Sequence, residues 1–147
     1  MVVSSVLSVA LAAAEQGVSV RPWLRVGVIG SRGFSDLALV REFVAALPFG
    51  CVLVSGGAPG VDQVAAAAWR ARGLQPVIFP FVSRLGRAGG PARNAELVKS
   101  CSLVVAFHDG RSTGTANAIA LARHFGVACF VIGQPPAPGQ PAQAPLF

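Results

Sequence analysis

The chain has 147 residues, of which 53% are apolar and 12% charged, with a mean hydropathy of +0.61. This excludes a disordered chain, which needs low hydrophobicity and high charge, and the length suits about one domain. Twelve basic against six acidic residues give a net charge of +6; eleven of the cations are Arg, a residue suited to bidentate contact with phosphate or carboxylate. An anionic partner fits that balance, and so does a simple role in keeping an apolar protein in solution.

The most continuous apolar stretch, Met1–Ala14, is interrupted by Ser4, Ser5 and Ser8. It falls short of the roughly 20 residues that cross a bilayer, so no membrane span is expected. No Lys or Arg precedes Arg21, so the positive region of a secretory signal is missing. Residues 1–24 are expected to form an extra helix or a leader segment.

From Arg25 onward, short apolar runs alternate with helical patterns. The runs are Arg25–Gly30, Cys51–Val54, Gln75–Phe79, Ser102–Phe107 and Val127–Ile132. They lack polar alternation, as parallel strands covered on both faces do. Leu37, Val40, Phe43, Val44 and Leu47 keep helical spacing behind Ser35 or Asp36 as N-cap. Val61, Val64, Ala65, Ala68 and Trp69 make a second stripe, Pro91 suits the first turn of a third helix, and Ala118, Ile119, Ala122 and Phe125 mark a fourth that Gly126 ends. The pattern predicts a Rossmann-like, doubly wound α/β fold: a mainly parallel five-stranded sheet with helices on both faces, over residues 25–133. Residues 134–147, rich in Pro, Gln and Ala, are expected to be a disordered or loosely docked tail. Cys51, Cys101 and Cys129 are widely spaced with no CxxC pair, which reads as buried reduced thiols in a cytoplasmic protein. With two His and three scattered Cys, no metal site is expected.

Three loops follow strands and precede helices, so a parallel sheet opens all three at its carboxyl edge, where doubly wound proteins bind ligands. They are Gly30-Ser-Arg-Gly33, Ser55-Gly-Gly-Ala-Pro-Gly-Val-Asp62 and His108-Asp-Gly-Arg-Ser-Thr-Gly-Thr115. Each alone could be a tight turn; three on one edge point to an anion site built from free N–H groups and helix starts. The candidate ligand-binding residues are Gly30, Ser31, Arg32, Ser55, Gly56, Gly57, Gly60, Asp62, Arg93, Asn94, Asp109, Arg111, Ser112, Gly114 and Thr115. Asp62 also suits a helix start, and Asp109 either caps a turn or accepts sugar hydroxyls. A dinucleotide fingerprint is excluded because Val28 stands at its first glycine and Ser55 at its acidic position. A Walker A loop is excluded because the sole lysine, Lys99, lies elsewhere.

At Gly30–Asp36, Leu53–Asp62, Gly86–Asn94 and Ala106–Thr115 the chain resembles the SLOG superfamily of Smf/DprA and LOG proteins, nearest its small stand-alone YspA-type branch. The resemblance implies a Rossmann-like domain that binds a nucleotide or nucleotide-derived ligand, as a phosphate-containing small molecule, with a sensor role as one form of that binding. LOG-type enzymes cleave the N-glycosidic bond of nucleoside monophosphates with a Glu three residues beyond a Gly-Thr pair. Here Gly114-Thr115 matches, but Ala118 occupies the Glu position, which leaves Arg93 and Asp109 as the catalytic candidates, with Asp62 another substitute carboxylate. The DprA-like alternative implies single-stranded DNA binding; Ser55–Asp62 and Pro91–Asn94 fit it, and Arg84, Arg87 and Arg93 offer a phosphate clamp, whereas aromatics for base stacking are scarce. The high hydropathy is expected to reflect a homo-oligomer with the Met1–Ala14 face buried between subunits.

Overall fold

A computed structural model describes residues 2–134. Its elements are α1 (Val2–Val20), β1 (Leu24–Gly30), α2 (Leu37–Ala46), β2 (Cys51–Ser55), α3 (Val61–Ala71), β3 (Val77–Ile78), a 3-10 segment (Ser83–Ala88), α4 (Gly89–Ser100), β4 (Leu103–Asp109), α5 (Thr113–Phe125) and β5 (Ala128–Gln134). All pairings are parallel, in the order β3-β2-β1-β4-β5. The doubly wound, Rossmann-like α/β fold expected from the sequence is the fold observed.

Strand alternation divides the apolar residues between two faces. On one face Val26, Val28, Leu103, Val105 and Phe107 pack with Ala10 and Ala14 of α1, Val40 and Phe43 of α2, and Ala65 and Trp69 of α3. On the other, Ile29, Val104 and Ala106 pack with Leu97 and Val98 of α4 and with Ala118, Ile119 and Ala122 of α5. Alanines let these helices approach the sheet closely. Asp36, rather than Ser35, caps α2, its Oδ1 accepting from Leu39 N at 3.1 Å. Gly126 ends α5 with φ of 70°, a left-handed turn that glycine adopts without a Cβ clash.

Three expectations need correction. The third strand is only Val77–Ile78 instead of Gln75–Phe79. Pro76 and Pro80 flank it without N–H donors on the sheet edge, although Phe79 N still donates to Ser55 O at 2.9 Å. The apolar stripe of α1 is covered by the chain's own core through Ala10 and Ala14, with Val6, Leu7 and Leu11 packed beside them, so this stripe is not free to be buried between subunits. Of the three free thiols, Cys51 and Cys101 are buried but Cys129, on the outermost strand, is only half-buried. The expected tail beyond Gln134 lies outside the described residues, among which no helix is long and apolar enough to cross a membrane.

Trp23 turns the chain from α1 into β1 at φ of 64° with its side chain 71% exposed. A bulky residue in that region strains the backbone, and so exposed an indole has little burial to lose. Trp23→Gly is expected to stabilise the fold by about 1 kcal/mol, read as a raised midpoint in thermal unfolding. An unchanged or lowered midpoint would show that the indole's contacts outweigh the backbone strain.

Candidate functional site

β1 and β4 lie side by side, yet the chain leaves β1 toward α2 on one face and β4 toward α5 on the other. Connections that diverge from neighbouring strands leave a crevice at the carboxyl edge. The crevice is a cleft of about 530 Å³, within the usual range of small-molecule sites. β1 supplies Ile29 and Gly30, with Arg32 just beyond; the β2–α3 connection supplies Gly56 and Ala58, and the first turn of α3 supplies Asp62. Phe81, Arg87 and the start of α4 close one side, and the first turns of α5 close the other.

Asp62, 4% exposed, holds two of these loops together. Its Oδ1 accepts from Gly30 N at 3.1 Å and its Oδ2 from Ala58 N at 3.3 Å. Burial pushes its carboxyl up to about 6, against the opposing pull of the Ala58 N–H, the Arg93 charge and the Gly30 and Gly56 N–H groups. Arg93 braces the same loop, donating from Nη1 to Gly56 O and, at 3.3 Å, to Phe79 O, and from Nε to Asn94 Oδ1 at 2.9 Å. A Cβ at position 56 would meet the Arg93 guanidinium and Asp62 Oδ2, so any side chain there displaces the brace that Arg93 forms. Glycine is required at position 60 by a φ of 89° and by the backbone of Arg32, 2.8 Å from where a Cβ would sit.

Behind the cleft wall, Ser31 Oγ lies 3.2 Å from Thr115 Oγ1, whose hydroxyl also reaches Ser112 Oγ at 3.2 Å. Ser31 Oγ accepts from Asp109 N at 3.1 Å and meets His108 Nδ1 at 3.4 Å. Burial lowers the His108 pKa against the opposing Asp109 charge, so the imidazole is neutral at pH 7. Gly110 N donates to Nδ1 at 3.3 Å, which places the ring proton on Nε2.

The structure brings Gly30, Arg32, Gly56, Asp62, Arg93, Asn94, Ser112, Gly114 and Thr115 to the cleft together. Ser31, Ser55, Gly57, Gly60, Asp109 and Arg111 are not among its lining residues. Ser55 Oγ is spent on Val28 O at 2.8 Å. Asp109 Oδ1 accepts from Arg111 N at 2.8 Å and Ser112 N at 2.9 Å. Burial pushes the Asp109 carboxyl up, but these donors together with Ser31 and His108 outweigh it and hold the group below its usual range. Asp109 therefore shapes the loop that starts α5. The sequence reading missed Ile29, Phe81, Asn117 and Ala118 as lining residues. Asn117 was findable, because it stands three residues beyond Gly114 on one helix face. Phe81 carried no comparable signal.

The Asp62 shift has a definite sign. A carboxyl raised in the folded state makes its contribution fully below the unfolded value, near 4, and loses it as pH rises through about 6. Wild type is expected to lose about 2 kcal/mol relative to Asp62→Asn between pH 4 and 7, read from urea unfolding of both proteins across that range. A difference independent of pH would contradict the buried, raised carboxyl.

No family model matches the chain. It is 32% identical over 123 residues to the Gene 61 protein of Mycobacterium phage D29, a match covering 76% of this chain and 98% of that protein. DNA processing protein A of Helicobacter pylori, whose structure concerns its single-stranded DNA binding mode, superposes with a TM-score of 0.60 at 20% identity, over 78% of this chain and 67% of that one. DprA of Streptococcus pneumoniae superposes with a TM-score of 0.65 at 22% identity, over 81% of this chain and 53% of that one. The chain thus spans about half the length of the pneumococcal protein, and likeness at these identities establishes the shared fold. The phage protein is matched over almost its whole length, and the chain belongs to the same family as the Gene 61 protein of Mycobacterium phage D29.

Proposed function

We propose that the cleft binds single-stranded nucleic acid, with a phosphate held by Arg32, Arg87 and the glycine loops and a base laid on Phe81. The observation that carries this reading is the combination at one cleft: Arg32 and Arg87 are exposed, make no hydrogen bond or ion pair among the described residues, and share the lining with a Phe81 that is 51% exposed. Unpaired guanidinium groups neutralise phosphate, and an exposed ring stacks any base. Arg93 takes a bracing role instead, its donors engaged by Gly56, Phe79 and Asn94. The fold shared with the DNA-binding protein of Helicobacter pylori supports the same reading.

A free nucleotide is the second reading, favoured by the cleft's volume of about 530 Å³, which suits a mononucleotide. Ligand binding of that kind would make the domain a sensor. Hydrolysis of the nucleotide has weaker support: Ala118 lines the cleft where LOG-type enzymes carry Glu, and both oxygens of Asp62 already accept backbone N–H groups. We also read the chain as a cytoplasmic member of the YspA-type branch. Self-association, if it follows from the hydropathy, would use the exposed Val20, Trp23 and Phe49.

Fluorescence anisotropy with labelled oligo-dT at low salt tests the proposal. Arg32→Ala and Arg87→Ala are each expected to weaken binding and to reduce the salt slope by about 0.7. Phe81→Ala is expected to cost about 1–3 kcal/mol, while Trp23→Gly, outside the cleft, leaves binding unchanged. Salt-independent binding, or full binding by the double arginine variant, would overturn the reading. Displacement of the oligonucleotide by equimolar dTMP would transfer support to the free nucleotide.

A further inference from the structure

His108, in the wall behind the cleft, is fully buried, and its Nε2 meets no hydrogen-bond partner among the described residues. Enclosing a polar group without a partner costs free energy, a cost that a Phe side chain would avoid. Strand alternation turns the ring to the same face as Val104 and Ala106, which is otherwise built of apolar side chains. A buried polar ring on such a face calls for a compensating use, and the ring has one at its other nitrogen.

Nδ1 accepts from Gly110 N at 3.3 Å and lies 3.4 Å from Ser31 Oγ. Gly110 belongs to the connection from β4 to α5 and Ser31 to the connection from β1 to α2, the two whose divergence opens the crevice. The last backbone hydrogen bond between them among the described residues runs from Ser31 N to Phe107 O at 2.9 Å. Beyond it, side chains alone hold the two loops in register. Ser31 Oγ also accepts from Asp109 N at 3.1 Å and reaches Thr115 Oγ1 at 3.2 Å. Thr115 lines the cleft, as does Arg32, the residue after Ser31, whereas His108 does not. Resting on the nucleic-acid reading above, we propose that His108 is a positioning residue for the ligand. Through Gly110 and Ser31 it sets the loop carrying Arg32 against the start of α5, and it touches no ligand itself.

Two substitutions separate the hydrogen bond from the packing. His108→Phe keeps a ring and removes both nitrogens, whereas His108→Asn sets Oδ1 where Nδ1 stands and gives up much of the ring. Both are compared with wild type by anisotropy with labelled oligo-dT and by thermal unfolding. His108→Phe is expected to bind about fivefold more weakly, the loss of one hydrogen bond. His108→Asn is expected to stay within about twofold of wild type while melting lowest of the three. Undiminished binding by His108→Phe, or binding by His108→Asn as weak as that of His108→Phe, would overturn the assignment and leave nucleic-acid binding standing. Where a variant fails to fold by circular dichroism, long-range ¹H–¹⁵N spectra of the wild-type imidazole decide. They are expected to show Nδ1 unprotonated, and a ring protonated there would overturn the assignment. Failure of wild type to bind oligo-dT at low salt would instead remove the nucleic-acid reading, which the imidazole spectra do not touch.

Discussion

Backbone N–H groups from two different loops, those of Gly30 and Ala58, converge on the single carboxylate of Asp62. These loops leave neighbouring parallel strands, β1 and β2, and nothing in strand pairing alone fixes their separation beyond the sheet edge. Burying one carboxylate between them does. The arrangement costs free energy, which is why the carboxyl is pushed up to about 6, and the opposing donors and the Arg93 charge keep the cost tolerable. Arg93 then carries the constraint outward to the Gly56 and Phe79 carbonyls and to Asn94. The β2–α3 loop, the strand preceding the 3-10 segment and the start of α4 are thereby tied to one point.

The consequence is a cleft with a mixed lining. Arg32, Arg87 and the starts of α3, α4 and α5 contribute positive potential, and Phe81, Ile29, Leu97 and Ala118 contribute apolar surface beside the amides of Asn94 and Asn117. Under the proposed reading, the charged groups would hold a phosphate and the apolar surface a base, the division of labour by which phosphate contacts position a nucleic acid.

The sheet was legible because its strands are short continuous apolar runs, a pattern that parallel strands impose when both faces are covered. The three glycine loops were legible for the same topological reason, since a strand-to-helix loop in a parallel sheet must open at the carboxyl edge. What the sequence withheld depended on side-chain direction. Asp109 and Ser55 sit in the right loops, but turn geometry and packing commit them to Arg111, Ser112 and Val28. Phe81 became a candidate stacking residue only when the segment ahead of α4 was seen to leave it exposed at the cleft. The apolar N-terminus misled because hydropathy does not reveal whether a helix face is covered by its own chain or by another.

The proposed function places the ligand at the crevice between diverging β1 and β4. A ¹H–¹⁵N correlation titration of the labelled protein with unlabelled oligo-dT tests it most directly. The largest shifts are expected at the amides of Gly30, Gly56, Gly90, Gly114 and Asn117, with Trp23 and Phe49 at the opposite sheet edge unmoved. Shifts concentrated at Trp23 and Phe49, with the cleft amides unchanged, would contradict it.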